Sequence, residues 1–196
     1  MAGFIDSLAI MLIGLGSGLL LVALFVLFSA LNKLEDLKEK LAIPAMGIGF
    51  FDFVSGFIMA FTWPLPGGYN MLFGDPLLFF GLLLFLGSYM FYKGKSPSWL
   101  TIFAFIIGIY VILGAYAMAA DNLETGANFL PAFGLYLSSG ISALLSPILI
   151  LKPVGAVKAL YYLEFIILIV ATFVALFIGY NALLEHLVSF AHYYPA

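Results

Sequence analysis

The chain has 196 residues, 65% of them hydrophobic and only 9% charged, with a formal net charge of −3 and a mean hydropathy of +1.19. Water-soluble domains carry about 25% charged residues, so this composition excludes a soluble globular protein; the small negative charge, all seven cations being lysines, excludes an electrostatic footprint for nucleic acid. The absence of cysteine excludes disulfides, thiolate nucleophiles, iron–sulfur clusters and cysteine zinc sites.

The first apolar run, 8–31, has no lysine before it and Lys33, Lys38 and Lys40 after it. That is the reverse of a secretory signal, which carries its cations first. The run reads as a retained helix, long enough for the roughly 20 residues a bilayer needs. The second span, 45–63, follows Pro44 and stops at Trp63-Pro64-Leu65-Pro66-Gly67-Gly68, a stretch that cannot continue a helix. Gly74-Asp75-Pro76 predicts the start of the third span, 76–93, with Asp75 as N-cap and Pro76 at the first helical position. Lys93-Gly94-Lys95-Ser96-Pro97 turns the chain into the fourth span, 98–119. Asp121-Asn122-Leu123-Glu124-Thr125-Gly126 separates it from the fifth, 129–151, and Leu151-Lys152-Pro153-Val154-Gly155 leads into the sixth, 157–184. Helices are required because lipid cannot hydrogen-bond an exposed backbone, and the runs lack the alternation of barrel strands. The expectation is an all-α polytopic membrane protein: one domain over 1–196 with six transmembrane helices.

The lysines then give an orientation. They fall at 33, 38 and 40, at 93 and 95, and at 152 and 158, that is, only in the first, third and fifth connections. The positive-inside rule places those connections in the cytoplasm and both termini outside the cytoplasmic membrane. The outer side then carries Asp6, Asp75, Asp121, Glu124 and Glu185 with His186 and His192. Lysine-bearing turns recur at intervals of about 60 residues, each with a proline near the start of the next helix (Pro44, Pro97 and Pro153). Such a period points to three helical hairpins in series.

Two carboxylates lie inside spans, Asp52 in the second and Glu164 in the sixth. Charge at membrane depth is costly and usually faces a bundle interior or a wet cavity. Each lies about seven residues, or about 10 Å, inward from the lysine side, so the pair is expected to share one layer near the inner mouth of a pore. A packing role, each acid protonated or bonded to a neighbouring helix, is the alternative. In the outer segment Thr62–Pro76, Asn70 and Tyr69 offer hydrogen bonds to a vestibule, against a plain interfacial turn with Trp63 and Tyr69 in the aromatic belt. In the fifth span Tyr136, Ser139 and Ser142 are candidate pore-lining groups, alongside Ser138 and Ser146; small residues there, as at Gly14 and Gly18, also allow close helix packing. His186, His192 and Glu185 do not make a metal spacing, so neither a metal nor any other cofactor is expected. No serine–histidine–acid set, phosphate loop or nucleotide fingerprint is present, and a membrane enzyme acting on lipid or quinone through Asp52 and Glu164 has little to rest on.

The segment Thr62–Pro76, with its Trp-Pro-Leu-Pro-Gly core followed by Tyr69-Asn70 and Phe73-Gly74, resembles a membrane family of archaea and actinobacteria known only as a domain of unknown function, which would cover most of the chain. A second resemblance, to the acid-gated urea channel and amide-transport family, is carried by Asn70-Met71-Leu72-Phe73-Gly74-Asp75-Pro76, by Ser98-Trp99 and by Ala159-Leu160-Tyr161-Tyr162-Leu163-Glu164. That resemblance implies six helices built as three hairpins, outside termini, a hexameric ring with one pore per protomer, and a glutamate at the cytoplasmic constriction in the position of Glu164. The tryptophans that clamp urea in that family have no counterpart here, since Tyr136, Ser138, Ser139 and Ser142 occupy the region, and the histidine-rich outer loop is missing. The expectation is a channel, a homo-oligomer in the lipid bilayer, passing a small, mostly neutral solute through Glu164, Asp52, Tyr136, Ser139, Ser142 and Asn70. The competing reading is an accessory or assembly subunit of a larger membrane complex, such as a respiratory one, without catalysis of its own.

Overall fold

The computed structural model describes residues 7–65 and 67–189. Asp6, Pro66, His192 and both chain termini therefore lie outside the described residues. Six long helices follow one another: α1 (Ser7–Ala30), α2 (Lys38–Thr62), α3 (Asp75–Tyr92), α4 (Thr101–Ala120), α5 (Phe129–Leu145) and α6 (Gly155–Ser189). All six, with their flanking turns, are long and apolar enough to cross a membrane, and no strand occurs among the described residues. The protein is an all-α, multi-pass membrane protein.

The helices close into a ring in the order α1, α2, α3, α4, α5, α6, with α6 packed back on α1. Small residues set the tightest contacts, as expected where lipid removes the hydrophobic drive between helices. On α1, Ala9, Gly16, Ala23 and Ala30 recur every seven residues and are all buried. They face Ala171, Ala175 and Gly179 of α6; a Cβ at Gly16 would crowd Leu176 and one at Gly179 would crowd Ile13 and Ala9. Between α2 and α3 the backbones themselves touch. A Cβ at Gly56 would strike the backbone of Leu78, one at Gly81 that of Phe53, and one at Gly49 that of Phe85. The three lysine-bearing connections do join successive helices, as hairpins in series require, but the closest packing falls on α2–α3, α4–α5 and α1–α6. The glycine faces, rather than the short turns, decide which helices pair.

Several boundaries differ from the sequence expectation. The helix α2 begins at Lys38, seven residues before 45, so that Pro44 sits inside it. Pro44 is the seventh residue of α2 and costs one bond, to the Lys40 carbonyl, on an exposed face where water can replace it. At the far end α2 stops on Trp63, whose left-handed φ of 52° turns the chain aside. Asp75 is not an N-cap. Helical structure is already present from Asn70, wound as a π turn through Gly74 and continuous with α3, and the Asp75 side chain makes no cap bond. A widened turn before Pro76 accommodates a ring that can neither donate a hydrogen bond nor clear the preceding carbonyl. In the fifth span the α-helix ends at Leu145 and Ser146–Ile150 is a 3-10 turn, because Pro147 cannot continue it. The helix α6 runs to Ser189, which at 35 residues is about 52 Å against a hydrocarbon core of about 30 Å.

All the lysine-bearing turns lie at one end of the ring. Lys38 at the start of α2 reaches Gly94 in the α3–α4 turn, its ammonium 3.1 Å from where a Cβ would stand. Lys93 stacks over Tyr89 and Tyr92 and Lys158 over Tyr162, the amphipathic arrangement of a membrane–water boundary. The two tryptophans mark opposite ends: Trp99 at the lysine end and Trp63 at the other, both half-exposed or more.

Candidate functional site

A half-open cavity of about 270 Å³ at the centre of the ring is walled by residues of all six helices. Its lining runs the depth of the bundle, from Leu8 and Leu72 at the lysine-poor end to Leu41 and Phe91 at the lysine end. Most of the wall is leucine, phenylalanine, alanine, valine and isoleucine. Polar groups concentrate on one side. Tyr136, Ser139 and Ser142 of α5, with Ser146 in the 3-10 turn that follows, recur at three- and four-residue intervals and so form one stripe along the cavity wall. Glu164 on α6 completes that wall.

Glu164 is almost wholly buried, at 1% exposure, and the Ser142 hydroxyl donates to its Oε1 at 2.6 Å. Its Oε2 has no partner, and neither does the hydroxyl of Tyr136 or of Ser139. Buried polar atoms normally find partners, and each one left without costs free energy. The remaining polar residues on the wall are satisfied locally. Ser146 donates to the Thr101 and Ala143 carbonyls, Ser88 to Phe85, and Thr101 to Ser98. The unpartnered oxygens on the cavity wall therefore belong to Tyr136 and Ser139 of α5 and to Glu164 of α6.

Asp52 is not among them. It is fully buried in the seam where α1 crosses α2 and α3, away from the cavity lining, with both carboxyl oxygens unpartnered. A Cβ at Gly14 would collide with its Oδ1, so α1 lies directly over the carboxyl. The shared carboxylate layer expected from sequence depth is thus divided between a packed seam and a lumen. Depth along a helix is legible in a sequence, whereas azimuth between apolar neighbours is not.

Asn70 also lies apart. It is fully buried, and its side chain clamps the loop after α2: Oδ1 accepts from the Leu65 N–H at 2.8 Å, and Nδ2 donates to the carbonyls of Leu65 and Gly67. Its polar atoms are spent on backbone rather than turned to a vestibule. Ser138 bonds the carbonyls of Gly134 and Leu135 and does not reach the lumen. Among the described residues no cluster of histidine, aspartate and glutamate has the makings of a metal site.

The sequence reading passed over Tyr110, whose hydroxyl donates to Asp75 Oδ2 at 2.9 Å and pins α4 to α3 at the lysine-poor end. It also passed over the apolar majority of the cavity wall, which no residue type distinguishes from ordinary packing.

Residues 1–189 match the family DUF981, described as proteins of unknown function. The chain belongs to that family. No curated protein and no solved structure matches it. DUF981 membership carries no activity with it, so function for this member has to be argued from the cavity.

Proposed function

We propose that this DUF981 protein is a channel-like membrane protein that passes a small, mostly neutral solute through the centre of its six-helix ring. The observation that supports this reading is the cavity itself, whose lining extends between the two ends of the bundle and draws on every helix. An apolar wall cannot replace the hydration shell of an ion, so the solute class is neutral. One polar stripe, Tyr136, Ser139, Ser142 and Glu164, supplies hydrogen bonds along an otherwise inert path. In this reading the lysine end faces the cytoplasm and both termini face outward. Because one protomer supplies the cavity wall from its own six helices, association into a homo-oligomer, hexameric or otherwise, is not needed to build the path.

The test is solute flux into proteoliposomes by stopped-flow light scattering, with urea, short amides, glycerol and water. The expected result is a rate above that of empty liposomes for at least one solute, altered in Glu164→Leu. Rates indistinguishable from empty liposomes for every solute, or a flux untouched by Glu164→Leu, overturn the proposal.

A further inference from the structure

We infer that the central cavity holds one acyl chain of an anionic membrane lipid, which passes in between α3 and α4 and leaves its phosphate head on Lys38, Lys93 and Lys95 at the lysine end. The inference goes beyond permeation and does not require it, since a chain needs only the cavity and a way in from the bilayer.

Three observations carry it. First, the wall suits hydrocarbon, being mostly leucine, phenylalanine, alanine, valine and isoleucine. A dry apolar cavity of about 150 Å³ takes a benzene ring, so the volume of about 270 Å³ here has room for a stretch of chain. Left unfilled, the walls forfeit the dispersion contacts that a chain supplies. Second, there is a way in. The helices α3 and α4 are the loosest neighbours in the ring. They meet towards their two ends: Gly87 stands against Pro97 and Leu100, and the Tyr110 hydroxyl donates to Asp75. From Asp75 to Gly87 is about 18 Å along α3. Between these contacts Leu83 and Leu84 of α3 and Ala104 and Ile107 of α4 line the cavity and stay partly exposed.

Third, positive charge gathers where the head of such a lipid would lie. The α3–α4 turn carries Lys93 and Lys95 and no acid, and the Lys38 ammonium reaches it from α2, 3.1 Å from where a Cβ on Gly94 would stand. The acids at this end, Glu35, Asp36 and Glu39, all precede or open α2, so the turn itself is left basic. Lys93 stacks over Tyr89 and Tyr92, and Trp99 is exposed beside them in sequence, which sets the turn at headgroup level. The cavity wall begins close by: Leu41 and Ala42 lie about one helical turn from Lys38, and Pro97 and Ser98 follow Lys95 directly in the chain. Basic pockets between membrane helices hold anionic heads, and here the pocket adjoins a place for the tail. A seated chain shares the lumen with any solute, so its occupancy sets how much of the path is open.

The experiment is photolabelling of the full chain in phosphatidylcholine nanodiscs. The probe is phosphatidylglycerol or phosphatidylcholine with a diazirine midway along one acyl chain, and labelled residues are mapped by mass spectrometry. Leu84 lies about 14 Å along α3 from Lys93, so the middle of a chain whose head sits on the lysines comes level with the cavity. The readout is Leu135 of α5 and Leu168 of α6, buried residues of the cavity wall that lipid around the ring does not reach. The phosphatidylglycerol probe should label them at least about tenfold more strongly than the phosphatidylcholine probe, since each lysine at a membrane surface adds about fivefold in affinity. In the double variant Lys93→Gln with Lys95→Gln that preference should fall to near parity. Labelling of the exposed Phe103 and Ile106 should stay unchanged, which shows that the fold is retained. Labelling confined to exposed residues overturns the inference and leaves the cavity without a chain. Equal labelling of Leu135 and Leu168 by both probes in the wild type, or a preference that survives in the double variant, overturns it too. Occupancy and passage fail separately: cavity labelling without solute flux removes the permeation reading alone, and flux without cavity labelling removes this inference alone.

Discussion

The Ser142 hydroxyl donates to Glu164 Oε1 across the α5–α6 interface, 2.6 Å from oxygen to oxygen and buried on both sides. This bond fixes the carboxyl group so that one oxygen is held by the protein and the other is left without a partner. Removing the serine should therefore act on two measurable quantities at once. Ser142→Ala is expected to lower stability by about 1 kcal/mol, the scale of an interhelical hydrogen bond in a bilayer. Adding Glu164→Leu should not deepen that loss in proportion, because the two side chains share one interaction. A thermal or denaturant double-mutant cycle in detergent checks this; strictly additive effects would show that the pair is not coupled.

Glycine positions offer a sharper contrast. A Cβ at Gly81 meets the backbone nitrogen of Phe53, which cannot move without shifting α2 against α3, whereas a Cβ at Gly47 meets nothing within 4 Å. Gly81→Ala should be strongly destabilising by overpacking, on the order of 1–3 kcal/mol. Gly47→Ala should be neutral or stabilising by up to about 1 kcal/mol, since alanine is the better helix former. Melting temperatures of the two variants should move in opposite directions, and a common direction would refute the α2–α3 packing described above.

These contrasts bear on how much was legible in the sequence. Six helices, their breaks and the gathering of lysines at one end follow from apolar run length and from proline, glycine and lysine positions, which act locally. Residue type marked the polar cluster of the fifth span but not the direction of each member: Tyr136, Ser139, Ser142 and Ser146 line the cavity, while Ser138 bonds the Gly134 and Leu135 carbonyls. The place of Asp52 was not legible: its depth matches that of Glu164, but its neighbours are set by Gly14 on α1 and by the glycine face between α2 and α3, and which way a wholly apolar helix turns leaves little trace in its own pattern. Asn70 likewise signals polarity, while its actual partners, the backbone of Leu65 and Gly67, depend on a loop closure that residue types do not encode.

At the lysine-poor end the α2–α3 and α4–α5 loops meet where Tyr69 comes beside Glu124. Partial burial raises the Tyr69 hydroxyl above the usual phenol value of 10.0, and the neighbouring Glu124 carboxylate raises it further. The sign follows directly. A phenol whose proton is held more tightly in the folded state contributes stability below its unfolded value, and loses that contribution as pH rises from about 10 through the folded value. Spectrophotometric titrations of the wild type and of Glu124→Gln should differ by one tyrosine, whose ionisation moves down toward normal in the variant. A titration unmoved by Glu124→Gln would mean that the two loops do not meet.

The α3–α4 junction is the loosest between neighbours in the ring, and it raises the question of where a solute enters. At the lysine end a Cβ at Gly87 would stand 3.6 Å from the Cβ of Pro97, within the span of about 3.5–4.5 Å that a disulfide requires. The chain has no cysteine of its own, so Gly87→Cys with Pro97→Cys creates a single possible bridge. Mild oxidation should close it, with loss of both free thiols and recovery on reduction. Both positions line the cavity, so the bridge ties α3 to the start of α4 beside the path without filling it. A solute that travels along the axis should cross oxidised and reduced protein at the same rate. A block that appears on oxidation and lifts on reduction would instead make the α3–α4 junction the gate, opening sideways to the bilayer.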